Sequence, residues 1–98
     1  MSQYKIEFED SHELQEFFRP MCSLLKTDYN YSLVRNTQCS RSSSTVSIQD
    51  NVLSVIVNNN IWEIIMSVIE EHEYSQGVTR IWKDERLYLT TSLYIHLE

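Results

Sequence analysis

Side chains able to do acid–base, nucleophilic or ligand chemistry are few and scattered along this chain. His12, His72 and His96 lie far apart and share no metal-ligand spacing. Cys22 and Cys39 form neither a CxxC pair nor part of a metal-spaced set. His72 stands between Glu71 and Glu73, an arrangement that suits a general base. It also sits mid-face on an apolar helical stripe, where histidine ordinarily lines the edge of a core. Cys22 as a nucleophile would need His12 as its base, yet the two fall on different sides of the helix that carries both. Fourteen acidic residues guarantee that some carboxylates stand close in sequence. Glu70 and Glu71 diverge, however, and Glu70 with Glu73 belongs to a solvated face. A single glycine leaves no room for a phosphate-cradling GxGxxG or Walker A loop. No catalytic, cofactor-binding or metal-ligating residue is assigned, and the expectation is a protein that is not an enzyme.

The clearest structural signal runs from Thr45 to Gly77. Asp50-Asn51 is a two-residue turn signal of the type I′ kind, since both residue types tolerate positive φ. Such a turn sets Gln49 opposite Val52, Ile48 opposite Leu53, Ser47 opposite Ser54 and Val46 opposite Val55. Val46, Ile48, Leu53, Val55 and Val57 then share one face, and Thr45, Ser47, Gln49 and Ser54 the other. Val52 and Ile56 are apolar exceptions on that second face. A one-residue slip would destroy the sorting. A helix over Ile61–Ser75 follows, with Asn60 as N-cap, Glu63 in the capping-box position and Gly77 as a left-handed C-cap. Ile61, Trp62, Ile64, Ile65, Val68, Ile69 and His72 form its apolar face.

Upstream, Tyr4, Ile6 and Phe8 alternate with Lys5, Glu7 and Glu9, the pattern of a half-buried strand. Asp10 caps a second helix, on which Leu14, Phe17, Phe18, Met21, Cys22 and Leu25 keep helical spacing straight through Pro20. An interior proline costs about 3 kcal/mol, but the unbroken period predicts a kink, not a stop. Tyr29 to Val34 alternates as a short strand. Asn36 to Ser44 is polar and serine-rich, the pattern of a mobile loop. Val78 to Lys83 predicts a strand that turns at Asp84-Glu85. Leu87, Leu89, Leu93, Ile95 and Leu97 then alternate with polar residues. Eleven such residues would span about 36 Å, which is long for a small domain. That length implies a bend near Thr91 or pairing with another subunit.

The chain is 98 residues long with a formal charge of −6 and 42% hydrophobic residues. These values predict one small acidic domain, not a disordered chain. The longest apolar runs are too short to span a membrane. Met1 to Asp10 lacks the apolar core of a secretory signal, and cysteine usage suits a reducing cytoplasm. Stripped of additions, the element order is βαββαβ. The fold class is therefore α+β: a two-layer sandwich, ferredoxin-like in element order, with both helices on one face of an antiparallel sheet and extra strands. RNA-recognition domains share that order. Here the third strand of the motif, Val52 to Val57, has no aromatic and no basic residue, so their stacking platform is missing and direct nucleic-acid binding is not expected.

Two partner surfaces follow. Asp10, Glu13, Glu16, Glu63, Glu70, Glu71 and Glu73 lie on the outer sides of the two helices, with only Arg19 and Lys26 to offset them. Such a field suits a basic protein surface, for example that of a nuclease or nucleoprotein complex. The function expected is that of an inhibitor occupying such a surface, of the immunity-protein or phage anti-defence type. The alternative is a homodimeric structural or regulatory subunit joined through its sheet edge, with Tyr88, Tyr94 and His96 at the contact.

Overall fold

The computed structural model describes residues 1–26, 29, 31–35, 37–41, 44–71 and 77–90, with positions 32, 33, 41, 71 and 88–90 described by their backbone alone. Six strands form one antiparallel sheet: β1 (Ser2–Phe8), β2 (Gln38–Arg41), β3 (Ser44–Gln49), β4 (Val52–Val57), β5 (Val78–Lys83) and β6 (Arg86–Thr90). Two long helices, α1 (Ser11–Leu24) and α3 (Asn59–Glu71), and the single turn α2 (Tyr31–Val34) complete the order. The strands stand in the order β2-β3-β4-β1-β5-β6. The inner four have the order of a ferredoxin-like sandwich, and β2 and β6 extend it at either edge. Among the described residues, no helix is long and apolar enough to cross a membrane.

Alternation decides which sheet face the helices cover. Tyr4, Ile6 and Phe8 of β1 are buried, as are Val46, Ile48, Leu53, Val55, Val57, Val78 and Ile81. Leu14, Phe17, Phe18, Met21 and Cys22 of α1 meet them, together with Trp62, Ile65, Val68 and Ile69 of α3. No polar or charged side chain among the described residues is buried with them. Tyr4 and Trp62 stack with ring centroids 3.7 Å apart and planes 6° from parallel. This contact fixes α3 over the middle of the sheet. Phe8 meets Phe17 at 5.3 Å in a tilted pair and so seats α1.

The central strand is held at both ends by hairpin turns. At its C-terminal end Asn51 brackets Phe8: its Nδ2 donates to the Phe8 carbonyl at 2.6 Å and its own carbonyl accepts the Phe8 N–H at 2.9 Å. At the other end the Gln3 N–H donates to Asp84 Oδ1 at 3.0 Å, and the Asp84 N–H donates to the Gln3 carbonyl at 2.7 Å.

Several expectations hold residue by residue. The β3–β4 register pairs Gln49 with Val52, Ile48 with Leu53, Ser47 with Ser54 and Val46 with Val55. α1 runs through Pro20, and the Asp10 carboxylate caps it by accepting the Glu13 N–H at 2.8 Å. Beyond its right-handed cap Leu25, the chain turns left-handed at Lys26, at φ 55°.

Others are corrected. Tyr31–Val34 is a helical turn, not a strand, since Val34 is fully buried in the core and the Arg35 N–H donates to the Tyr31 carbonyl at 3.0 Å. Gln38–Arg41, placed by composition within a loop, is strand β2, because its backbone pairs with β3 from Gln38↔Ser47 to Arg41↔Ser44. α3 is capped by Asn58, not Asn60: Asn58 Oδ1 accepts the Ile61 N–H at 2.9 Å. Positive φ at the β3–β4 turn falls on Asp50 alone, so that turn is not type I′; Asp84 and Glu85, at φ 50° and 68°, form the turn with two left-handed residues. Gly77 has no positive φ. In β6 the register passes from Ile81↔Leu89 to Trp82↔Leu87, so a bulge at Tyr88 breaks the leucine alternation. The expected strand over 87–97 is described only as far as Thr90, and the expected helix over 61–75 only as far as Glu71.

Two outcomes follow for stability. Ile65→Asp or Ile69→Asp places a carboxylate where the native side chain is fully buried, and circular dichroism should find each variant unfolded. Asn51→Ala removes the hydrogen bond to Phe8 and should cost about 1 kcal/mol, lowering the melting temperature by roughly 4–8 °C in a thermal scan.

Candidate functional site

Two surfaces carry the functional side chains, one on each layer. The helical layer points outward with Asp10, His12, Glu16 and Arg19 of α1 and its cap, and with Glu63 and Glu70 of α3, all exposed. Helical periodicity explains the set, because the stripe that buries Phe17 and Ile65 turns these positions to solvent. The sequence-derived acids do not behave alike. The Asp10 carboxylate is engaged in capping α1. Glu13 is half-buried, and its Oε2 lies 2.8 Å from where a Cβ on Gly77 would stand. Glu16 faces His12 one turn back, Oε1 to Nε2 3.7 Å. Glu63 and Glu70 face solvent with no basic partner among the described residues. Glu71 is described by its backbone alone, and Glu73 and His72 lie outside the described residues. Exposed Ile64 and Leu24 add apolar area to the same layer.

Among the described residues no helix covers the opposite face of the sheet, and strand register arranges its side chains in rows across the strands. One row runs Ser47, Ser54, Lys5, Trp82, Leu87 from β3 to β6. The next runs Gln49, Val52, Glu7, Arg80. A bulge opposite Glu7 and Phe8 inserts Thr79, whose Oγ1 approaches Glu7 Oε2 at 2.8 Å and the Glu7 carbonyl at 3.1 Å. Arg80 Nε stands 3.8 Å from the same carboxylate. These rows share the open face of the sheet. It holds an open groove of about 530 Å³, lined by Lys5, Glu7, Ser47, Gln49, Ser54 and Trp82 and closed at its ends by Asp50-Asn51 and Glu85.

Comparison with known proteins finds no matching family model, no matching curated protein and no matching solved structure. Function has to be argued from the two surfaces alone.

Neither surface assembles catalytic machinery among the described residues. Among the described residues, no group of three or more His, Cys, Asp or Glu side chains lies close enough together to hold a metal ion. Cys22 is buried in the core while His12 is exposed, so the rejected nucleophile–base pair is also apart in space. Of the residues expected at a dimer contact, Tyr88 is described by its backbone alone, and Tyr94 and His96 lie outside the described residues.

The open-face row was not singled out in the sequence. Alternation alone placed Ser47, Ser54 and Lys5 away from the core. The row as a whole required knowing that β1 lies between β4 and β5, which is a long-range pairing.

The contact of Glu13 with Gly77 gives a stability test independent of partner binding. Gly77→Ala sets its new Cβ 2.8 Å from Glu13 Oε2 and 3.2 Å from Glu13 Cβ. The carboxylate can swing away, so the cost should be about 1 kcal/mol, at the low end of overpacking penalties. In a denaturant double-mutant cycle, Glu13→Ala should recover part of that loss.

Proposed function

We propose that the protein is a non-enzymatic binding module whose acidic helical layer occupies a basic, nucleic-acid-binding surface on a partner protein. Small inhibitors that act this way include immunity proteins and phage antagonists of host nucleases or defence complexes. The supporting observation is the uncompensated exposure of Glu63 and Glu70 on α3, in a layer that also exposes Glu16. Seven residues separate Glu63 from Glu70, so the two carboxylates stand about 10 Å apart along the helix axis. A rigid helix holds them there at no ordering cost beyond their own side chains. Their field adds to that of a chain already at −6 and should draw in a basic surface at a salt-sensitive rate. Exposed Ile64 between them supplies apolar contact once the charges have met. Cys22 and Cys39 are not joined in a disulfide, in keeping with work in a reducing cytoplasm.

A second function class, a homodimer joined at the sheet edge, has one observation in its favour. Leu87, on edge strand β6, is 57% exposed. Sedimentation equilibrium separates the two: a self-associating edge gives a dimer that Leu87→Asp abolishes.

The test of the primary proposal replaces Glu16, Glu63, Glu70 and Glu71 with Gln. The native protein should capture a nucleic-acid-binding partner from lysate at low salt and release it at high salt, and it should compete with nucleic acid for that partner. The substituted protein should lose both properties while keeping its melting temperature. An unchanged captured set at low salt would sink the proposal.

A further inference from the structure

We propose that the open face of the sheet is a binding site for a neutral oligosaccharide. The groove there belongs to neither the acidic helical layer nor the sheet edge, and its volume of about 530 Å³ suits a small ligand. Its lining determines what that ligand can be. Trp82 lies half-buried in the wall, beside Lys5 of the central strand. An indole offers flat apolar area of the kind that the C–H faces of a pyranose ring cover. Around it stand Ser47, Ser54 and Gln49, whose hydroxyls and amide both donate and accept hydrogen bonds, as sugar hydroxyls do.

Charge excludes the competing ligands. Among the described residues, Lys5 is the one cation lining the groove, against the carboxylates of Glu7, Asp50 and Glu85. A phosphate or a nucleic acid would meet a net negative field. A cationic peptide gains little in the middle of the groove, because Glu7 already has Thr79 and Arg80 as partners. The other two carboxylates sit on separate hairpin turns, one at each end of β1. What fits the middle is an uncharged ligand with apolar faces and many hydroxyls, long enough to run between the turns. The terminal carboxylates would then accept hydroxyl protons at either end.

The chain has two tryptophans, and they report differently. Trp62 is buried against Tyr4 and does not see the groove, so a ligand-dependent change in emission belongs to Trp82. The full chain is screened on an array of neutral oligosaccharides, and the strongest hit is titrated by fluorescence and calorimetry. Saturable binding is expected, at least tenfold weaker in Trp82→Ala and several-fold weaker in Gln49→Ala, but largely kept in Trp82→Tyr. If Trp82→Ala does not fold, amide shifts of Ser47, Gln49 and Ser54 in the native protein serve instead. No hit on the array, equal binding by a folded Trp82→Ala, unmoved Ser47, Gln49 and Ser54 amides, or tighter binding of oligolysine or a sulfated oligosaccharide each overturns the proposal. The helical-layer Gln variant should bind the sugar normally, so failure here is distinguishable from failure of the acidic-layer proposal.

Discussion

The whole molecule depends on the burial of β1. The strand pairs on both sides, with β4 from Ser2↔Val57 to Glu7↔Val52 and with β5 from Tyr4↔Lys83 to Phe8↔Val78. Three of its side chains are buried under the helices, and two of those three are aromatic anchors: Tyr4 for α3 and Phe8 for α1. The two turns that close the neighbouring hairpins each reach across to its backbone ends. Displacing this strand would therefore split the sheet and unseat both helices together. Apolar burial supplies most of the driving force, and the hydrogen bonds from Asn51 and Asp84 set where the strand stops.

Such a centre leaves the two outer surfaces free to differ. The helical layer is covered by side chains that helix geometry throws outward, and acids dominate among them. The sheet's far side mixes the hydroxyls of Ser47 and Ser54, the Gln49 amide and the Trp82 indole with the charges of Lys5, Glu7 and Arg80 and the apolar Val52 and Leu87. Neither surface contributes to the core, so apart from groups such as the Asp10 cap and Glu7 both can change at little cost to the fold. The same division explains why core substitutions and surface substitutions should separate cleanly in their effects.

Local chemistry made much of this legible in the sequence. The β3–β4 register follows from Asp50-Asn51 and from the sorting of Val46, Ile48, Leu53 and Val55. Helical spacing across Pro20 outweighed the usual reading of proline as a stop. The failures are also local in cause. Tyr29 to Val34 alternates like a strand, but six residues carry too little period to tell a turn of helix from an extended segment. Gln38–Arg41 has the composition of a loop and becomes a strand only because β3 offers it a free edge. Gly77 looked like a left-handed cap. Its real constraint is Glu13, sixty-four positions away, and no local pattern reveals such a contact. The acids Glu63 and Glu70 were legible because helix phase alone exposes them. The groove was not, because it depends on which strands become neighbours.

The position of β1 also bears on the order of events as the chain is made. It is synthesised before the other described strands, yet its partners are β4, at residues 52–57, and β5, beyond residue 77. The β3–β4 hairpin needs only contacts within residues 44–57 and can form by itself. β1 must stay unpaired until that hairpin exists, and it gains its second neighbour only once Val78–Lys83 has been synthesised. Closing these long loops makes folding slower than the short helices alone would suggest. During that interval Tyr4, Ile6 and Phe8 are exposed on an unpaired strand. Lys5, Glu7 and Glu9, interleaved with them, are the gatekeepers that keep the waiting strand from pairing with another chain.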